Sequence, residues 1–339
     1  MVMISSALHE RVVARTHRID YAGSALLAAG VGLLIFGTLE GGVGWPWLAP
    51  QSVGVFGLAA AALVAFIWQE GRAAEPMLPH WVFTRRLILG ANVATFALGL
   101  LSIGLTTFLP TYAQGVLGVG AVSAGFILAV MSISWPMFSA LSGRFYLRLG
   151  FRDTALIGAG IAIASGAIFV ALSQTAPAWL AALGSFVMGA GLGLLSTPLV
   201  VGLQSVVGWE RRGVVTGSYM FARQLGQAVG AAFFGSIVNA ALASWLRHVP
   251  PDVAQHLPAT LNVTSQVLGG GTTHLSAQAA AYVRQGIYVG THQVFVALLV
   301  IAVASVGVLL LTPRVFTTLA FAAEEQVRDS ERREALSAH

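Results

Sequence analysis

Two long stretches of this chain contain no charged side chain. Lys, Arg, Asp and Glu are all absent between Leu87 and Ser142, and again between Thr154 and Trp209. This pattern excludes a soluble domain, because the surface helices of a soluble domain need a polar face. A bilayer requires it, since a helix crosses about 30 Å of hydrocarbon with roughly 20 apolar residues. The sequence therefore predicts an all-α, polytopic integral membrane protein whose surroundings are the lipid bilayer.

Cysteine and lysine are also absent from the chain. Without Cys there is no disulfide framework, no thiol catalysis and no Cys-based metal site. All eighteen basic residues are Arg, which we interpret as codon usage in a GC-rich bacterial genome. A net charge of +5 would suggest nucleic acid binding in a soluble protein, but here the basic residues lie in short loops and set membrane topology. We therefore expect no nucleic acid partner.

Groups that carry enzymatic chemistry are missing from the apolar runs. No Asp or Glu lies in the middle of a run, and the eight His lie in loops, at a terminus or at the edge of a run. None of these His forms an H-x-x-x-H pair or a plausible metal cluster. The sequence therefore predicts no enzyme, no metal site and no cofactor.

The apolar runs predict eight membrane-spanning helices. The second run is short unless it includes residues 50–52, and the sixth and seventh are long enough to tilt or protrude. The predicted spans are Tyr21–Leu39, Val53–Trp68, Leu87–Leu109, Val122–Leu141, Thr154–Leu172, Ala178–Val207, Val214–Trp245 and Gln293–Thr312.

The loop arginines support this count. Fifteen of the eighteen fall on one side of the predicted spans, and only Arg247 and Arg284 fall on the other, both in a long loop at 247–291. Cytoplasmic loops carry the excess of basic residues. We therefore expect a multi-pass protein of the bacterial cytoplasmic (inner) membrane with both termini in the cytoplasm.

Rows of small residues predict close helix packing. Ala222, Gly226 and Gly230 recur at every fourth position, as do Gly213 and Gly217, and Met188–Leu194 reads MGAGLGL. Such rows let helix backbones approach closely in lipid.

Arg223 is the one charged residue inside a predicted span. It lies ten residues past Gly213, or about 15 Å along a helix. A charge at that depth usually faces a bundle interior or a cavity. Two interpretations stay open: a cation that lines a cavity or takes part in a conformational switch, or a side chain that snorkels to the cytoplasmic interface.

The segment between the fourth and fifth spans reads SGRFYLRLGFRD (Ser142–Asp153). It is similar to the signature loop of the major facilitator superfamily, G-x-x-x-D-R-x-G-R-R. Leu147 stands where the family has Asp, and Phe151 where it has Arg, so the resemblance does not imply a charge-relay latch here. The positions that match the signature are Gly143, Arg148, Gly150 and Arg152.

Four further stretches, RIDYAGSALLAAG, EPMLPHWVFTRR, FLPTYAQGVLG and RQLGQAVGAA, resemble the fourteen-helix drug:proton antiporter family within that superfamily. The resemblance implies a cytoplasmic segment at 1–19, a linker helix pair at 20–86, a C-terminal six-helix transporter domain at 87–312 and a cytoplasmic tail at 313–339. It also implies that the third and sixth spans line a substrate cavity. The polar residues placed near a small-molecule substrate are Asn92, Thr106, Ser196, Thr197 and Gln204.

The first six helices of that family have no counterpart here, so the resemblance implies an incomplete bundle that lacks its N-terminal six-helix domain. Two hypotheses stay open. The chain is the C-terminal portion of a proton-coupled exporter of drugs or other small amphipathic molecules that works by alternating access. The alternative is a truncated membrane protein that does not transport and has a structural or interaction role.

Overall fold

The computed structural model describes residues 20–41, 45–46, 49–72, 78–247, 249–250 and 277–314. Within these residues eight helices are long and apolar enough to cross a membrane, which confirms the predicted all-α class and the predicted count. A single helical turn, Trp81–Thr84, precedes the third of them. The eight helices are α1 Tyr21–Glu40, α2 Pro50–Glu70, α3 Arg86–Gly115, α4 Ala121–Leu149, α5 Phe151–Val170, α6 Ala178–Ser205, α7 Arg212–Leu246 and α8 Ala277–Leu311.

Helix α8 is longer than the sequence predicts. It begins at Ala277, so the prediction that the last span starts at Gln293 was wrong, as was the assignment of the end of the 247–291 segment to a loop. Arg284 and several polar residues mask the apolar character of its first turns. A helix of 35 residues measures about 52 Å, so α8 exceeds the thickness of the hydrocarbon. The rest of the predicted loop, residues 248 and 251–276, lies outside the described residues.

The packing of α3–α8 repeats after three helices. In this repeat α3, α4 and α5 correspond to α6, α7 and α8. Helix α4 packs along α6, and correspondingly α7 packs along α3. Helix α5 packs on α6, and correspondingly α8 packs on α3. Helices α5 and α8 also pack on each other. Three is an odd number of crossings, so the triplets α3–α5 and α6–α8 run in opposite directions. This arrangement is an inverted repeat, as found in many transporter folds.

Two glycines in equivalent places allow close contacts between helices. A Cβ atom on Gly99 of α3 would overlap the carbonyl oxygen of Arg223 of α7. A Cβ atom on Gly193 of α6 would lie 2.6 Å from the carbonyl oxygen of Trp135 of α4. Each glycine therefore admits a backbone that a larger residue would exclude. Trp135 and Arg223 consequently occupy corresponding positions in the two triplets.

The small-residue rows divide into packed and open positions. Gly226 lies against the backbone of Phe96 of α3, as close packing predicts. A Cβ atom on Gly213 or Gly217 would meet no other atom within 4 Å. The prediction of close packing was therefore wrong for the first turns of α7 within the described structure.

Helices α1 and α2 form a pair beside the six-helix bundle. They pack on each other, with Gly30 of α1 against Leu63 of α2, and α1 also contacts α7. The Asp20 carboxylate caps the start of α1 by accepting a hydrogen bond of 2.9 Å from the Gly23 backbone N–H. The predicted domain boundaries, with a linker pair at 20–86 and a transporter domain at 87–312, stay a prediction. The predicted segment 1–19 lies outside the described residues, as does the tail at 313–339 beyond Arg314.

Candidate functional site

Four side chains from three helices meet at the middle of α4. They are Trp135 of α4, Ser196 of α6, and Tyr219 and Arg223 of α7, and we call them the Arg223 cluster. The guanidinium carbon of Arg223 lies 5.0 Å from the centre of the Trp135 ring. Trp135 is the central residue of the 29-residue helix α4. The cluster therefore lies far from both ends of that helix.

Ser196 joins the other members of the cluster. The Trp135 indole N–H donates to the Ser196 hydroxyl oxygen at 3.3 Å. The Tyr219 hydroxyl donates to the Ser196 backbone carbonyl, also at 3.3 Å. Ser196 and Tyr219 are buried, whereas Trp135 and Arg223 are partly exposed. These bonds hold α4, α6 and α7 together and fix the orientation of the Trp135 ring.

Within the described residues Arg223 has no counter-ion. Its Nε is buried without a hydrogen-bond partner, and its recorded contact is the face of Trp135. A cation over an aromatic face gains about 0.5–2 kcal/mol, which offsets part of the cost of placing the charge at this depth. Contact with the centre of α4 argues against the interpretation in which Arg223 snorkels to a helix end.

Three of the five predicted cavity residues converge on one stretch of α7. Ser196 belongs to the Arg223 cluster. The Asn92 amide of α3 donates to the Ser218 hydroxyl at 3.3 Å, and the Gln204 amide of α6 donates to the Thr216 hydroxyl at 2.9 Å. All three side chains therefore make interhelical hydrogen bonds, and their contact with substrate stays a prediction.

The other two predicted cavity residues are not part of this group. The Thr106 hydroxyl donates to the carbonyls of Ser102 and Ile103 within its own helix. Thr197 follows Ser196 on α6, and its half-buried side chain makes no recorded hydrogen bond within the described structure. Successive residues of a helix point about 100° apart, so Thr197 faces away from the cluster.

The predicted signature loop is a sharp junction between two helices. Helix α4 continues through Leu149 and α5 begins at Phe151, so the predicted span ends at Leu141 and Thr154 were too short. Only Gly150 separates them, with a φ of +91° that favours glycine. Gly143 and Arg148 lie in the last turns of α4, where Arg148 is exposed.

Arg152 ties this junction to the end of α8. Its guanidinium donates to the backbone carbonyl of Thr312 at 3.1 Å, a carbonyl that the end of α8 leaves free. Beside it, Arg314 donates to the Asp153 carboxylate at 3.1 Å. Asp153 thus forms an ion pair at this junction, although Leu147 stands where the signature has its acid. What role these contacts have in transport stays open to experiment.

Two features could not be found from the sequence. The indole N–H of Trp135 gave no signal of a specific partner. His292 was placed at the edge of a span, but it lies inside α8, stacked near Tyr288 with ring centres 5.3 Å apart. Had the start of α8 at Ala277 been known, His292 would have been placed inside this helix. Among the described residues, no three His, Asp or Glu side chains lie together in a way that could hold a metal ion.

Away from the Arg223 cluster, a cavity of about 360 Å³ opens between α7 and α8. Trp245 and Tyr282 line it and hold each other through two hydrogen bonds between side chain and backbone, at 3.2 and 2.7 Å. These bonds use the polar groups of both side chains, so the cavity offers few free groups for recognition.

Comparison with known proteins places these features in a family. Residues 2–231 match the Major Facilitator Superfamily. The chain is 28% identical over 270 residues to the multidrug transporter protein MdtP of Bacillus subtilis, which covers 80% of this chain and 50% of MdtP. It is 31% identical over 225 residues to multidrug resistance protein 3 of Bacillus subtilis, which covers 66% of this chain and 44% of that protein.

Two further matches complete the comparison. A tetracycline resistance determinant of Streptomyces rimosus is 30% identical over 223 residues, covering 65% of this chain and 64% of the relative. The fold is similar to that of a bacterial homolog of the human lysosomal transporter Spinster, with a TM-score of 0.52, 18% identity, and coverage of 86% of this chain and 66% of that chain. The chain spans about half the length of the first curated relatives it matches. Its charge-free helices, its repeated packing and these matches show that the chain belongs to the Major Facilitator Superfamily, whose members are membrane transporters rather than enzymes.

Proposed function

We propose that this chain is the C-terminal portion of a proton-coupled exporter of drugs or other small amphipathic molecules in the bacterial cytoplasmic membrane. Helices α1 and α2 are the linker pair, and α3–α8 form one of two six-helix domains. The partner domain is an N-terminal set of six helices, and both termini of this chain face the cytoplasm. Transport proceeds by alternating access, in which the two domains rock about a central site.

The inverted repeat of α3–α8 carries this proposal. In transporters built from such repeats, the substrate site lies near the middle of the bilayer, at the interface between the repeats. Trp135 and Arg223 occupy corresponding positions in the two triplets and contact each other at the middle of α4. The geometry thus supports a site at the Arg223 cluster, with Asn92 and Gln204 beside it on the same stretch of α7.

The relatives support the substrate class. Their names describe multidrug transport and tetracycline resistance, and each match covers most of this chain. We propose that the present chain forms one wall of the transport path for molecules of this class.

One observation favours the alternative, a membrane protein with a structural or interaction role that does not transport. Within the described helices α3–α8 the only acidic residue is Asp153, in the first turn of α5. Proton relays in membranes use Asp, Glu or His side chains, whereas Arg stays protonated, and of these types the described helices α3–α8 hold only Asp153 and, inside α8, His292. The export hypothesis places the coupling carboxylate in the partner domain, whereas the alternative needs none.

Efflux from energised cells distinguishes the two functions. The chain is expressed in a drug-hypersensitive bacterium with and without an N-terminal six-helix half from a curated relative, and efflux of the fluorescent carboxylate 1-pyrenebutyrate is followed by fluorescence. The proposal predicts efflux only when both halves are present. Absence of efflux with both halves in the membrane would favour the non-transporting alternative.

A further inference from the structure

The charge of Arg223 has no negative partner in the part of the chain that the structure describes. Its guanidinium carbon lies 5.0 Å from the centre of the Trp135 ring, and Nε is buried without a hydrogen-bond partner. Helices α3–α8 carry no acid except Asp153, at the start of α5, and α1, which also contacts α7, has its acids at its two ends, Asp20 and Glu40. A guanidinium has five N–H donors in a planar fork, and here none of them has a recorded acceptor. The cluster therefore presents unused donors and an unneutralised charge.

The other polar groups of the cluster do not satisfy Arg223. The Trp135 N–H donates to the Ser196 hydroxyl, and the Tyr219 hydroxyl donates to the Ser196 backbone carbonyl. These bonds hold the Trp135 ring in place, with one face toward the guanidinium. Trp135 and Arg223 each keep part of their surface exposed, so neither is sealed inside the protein.

We infer that the Arg223 cluster binds the anionic group of an amphipathic molecule, either a carboxylate or a similar oxyanion, while the Trp135 ring packs on the flat apolar part of the same molecule. This inference rests on the proposed function and names the substrate class that this wall selects. The guanidinium fork matches a carboxylate in a bidentate arrangement.

A cationic ligand fits the same place poorly. It would lie next to an Arg that cannot lose its proton, in surroundings where charges are weakly screened. To stack on Trp135 it would also have to displace the guanidinium from the ring. The cluster therefore distinguishes ligands by the sign of their charge.

Binding of a matched pair of probes tests this inference without any transport. The purified 339-residue chain is placed in nanodiscs of neutral lipid, and two probes are titrated by fluorine NMR against empty nanodiscs. The probes are 4-(trifluoromethyl)phenylacetate and 4-(trifluoromethyl)phenylacetamide, which differ in charge and share one apolar body. Because bonds to charged groups are the stronger ones, the acid should bind about tenfold more tightly than the amide.

Three variants separate the contributions. Arg223→Gln should remove the preference for the acid, and Arg223→Lys should keep part of it, because Lys retains the charge but not the fork. Trp135→Leu should weaken both probes together and leave their ratio unchanged. Arg284→Gln makes the same charge change at an exposed position of α8 and should leave the parent preference intact.

Equal affinity of the parent chain for both probes, or no binding of the acid, would overturn the inference. So would a preference that survives in Arg223→Gln while the variant elutes as a single species on gel filtration. The outcome is independent of the proposed function, because failure of 1-pyrenebutyrate efflux would leave the binding preference for the acid untouched.

Discussion

At the scale of single residues, the position of Arg223 depends on the glycine beside its backbone. Gly99 lets α7 approach α3 so closely that the Arg223 carbonyl lies where a Cβ atom would be. Gly193 does the same for Trp135 on the other triplet. Trp135 of α4 and Arg223 of α7 then contact each other. The two glycines thus set the helix spacing that allows this contact.

Arg223 should matter for transport through both its charge and its shape. In the assembled exporter, Arg223→Ala should lower the rate of export at least about tenfold, because it removes the cation that faces Trp135. Arg223→Lys should restore only part of the rate. Export rates are compared at equal amounts of protein in the membrane, with Arg284→Ala as the control. Export at the parent rate by both Arg223 variants would show that the side chain only snorkels.

A packed glycine, Gly193, and an open one, Gly217, should respond differently in stability to one added methyl group. Gly193→Ala places a Cβ atom 2.6 Å from the Trp135 carbonyl oxygen and should destabilise the chain by about 1–3 kcal/mol. Gly217→Ala meets no atom within 4 Å and should be neutral or stabilising by up to about 1 kcal/mol, since Gly is the weaker helix former. Apparent unfolding temperatures in detergent test this pair. A drop for Gly217→Ala as large as that for Gly193→Ala would contradict the packing described here.

At the scale of helices, the described elements follow from the apolar runs with one large difference. Seven helices begin within a few residues of their predicted starts, because an apolar run between charged turns is a strong signal in lipid. Helix α8 differs because its first turns are polar enough to resemble a loop. Periodicity finds the part of a helix that lies in hydrocarbon and misses the part that extends beyond it.

The candidate site was less predictable than the helices. Arg223 could be found from the sequence, because a lone charge in an apolar span is rare. Its contact with Trp135 could not be found, since the two residues are 88 positions apart and meet only through the packing of four helices. Thr106 and Thr197 looked equivalent to Ser196 in sequence, and only the helix orientation separates them.

The orientation of the helices can be tested by reporter fusions. The distribution of Arg predicts that fusions after Gly44, Pro177 and Gln255 report the outside of the cell, and that fusions after Ala73, Arg148 and Ala338 report the cytoplasm. Gly44, Ala73, Gln255 and Ala338 lie outside the described residues, so this experiment also extends the topology beyond them. A cytoplasmic signal after Gln255 would mean that the count of spans up to that point is wrong.

At the scale of the whole molecule, α3–α8 form one bundle, which in the proposed exporter is one of the two walls of the transport path. Alternating access needs a second wall for the first to rock against. The open glycines of α7, Gly213 and Gly217, and the sparsely buried helix α4 lie on surfaces that the described part of the chain leaves uncovered. A second six-helix domain, or a second copy of this chain, could cover them. Only the former can also supply a titrating acid from outside this sequence.

The central claim is that this chain supplies one wall of an exporter and does not by itself perform proton-coupled export. The most direct measurement uses liposomes with an imposed pH gradient and follows a fluorescent anionic dye, 1-pyrenebutyrate. With the chain alone, the account predicts dye movement no greater than in empty vesicles, because the described helices α3–α8 hold no mid-span carboxylate. Adding an N-terminal six-helix half should produce movement that a protonophore abolishes. Gradient-driven, protonophore-sensitive movement with the chain alone would contradict the account.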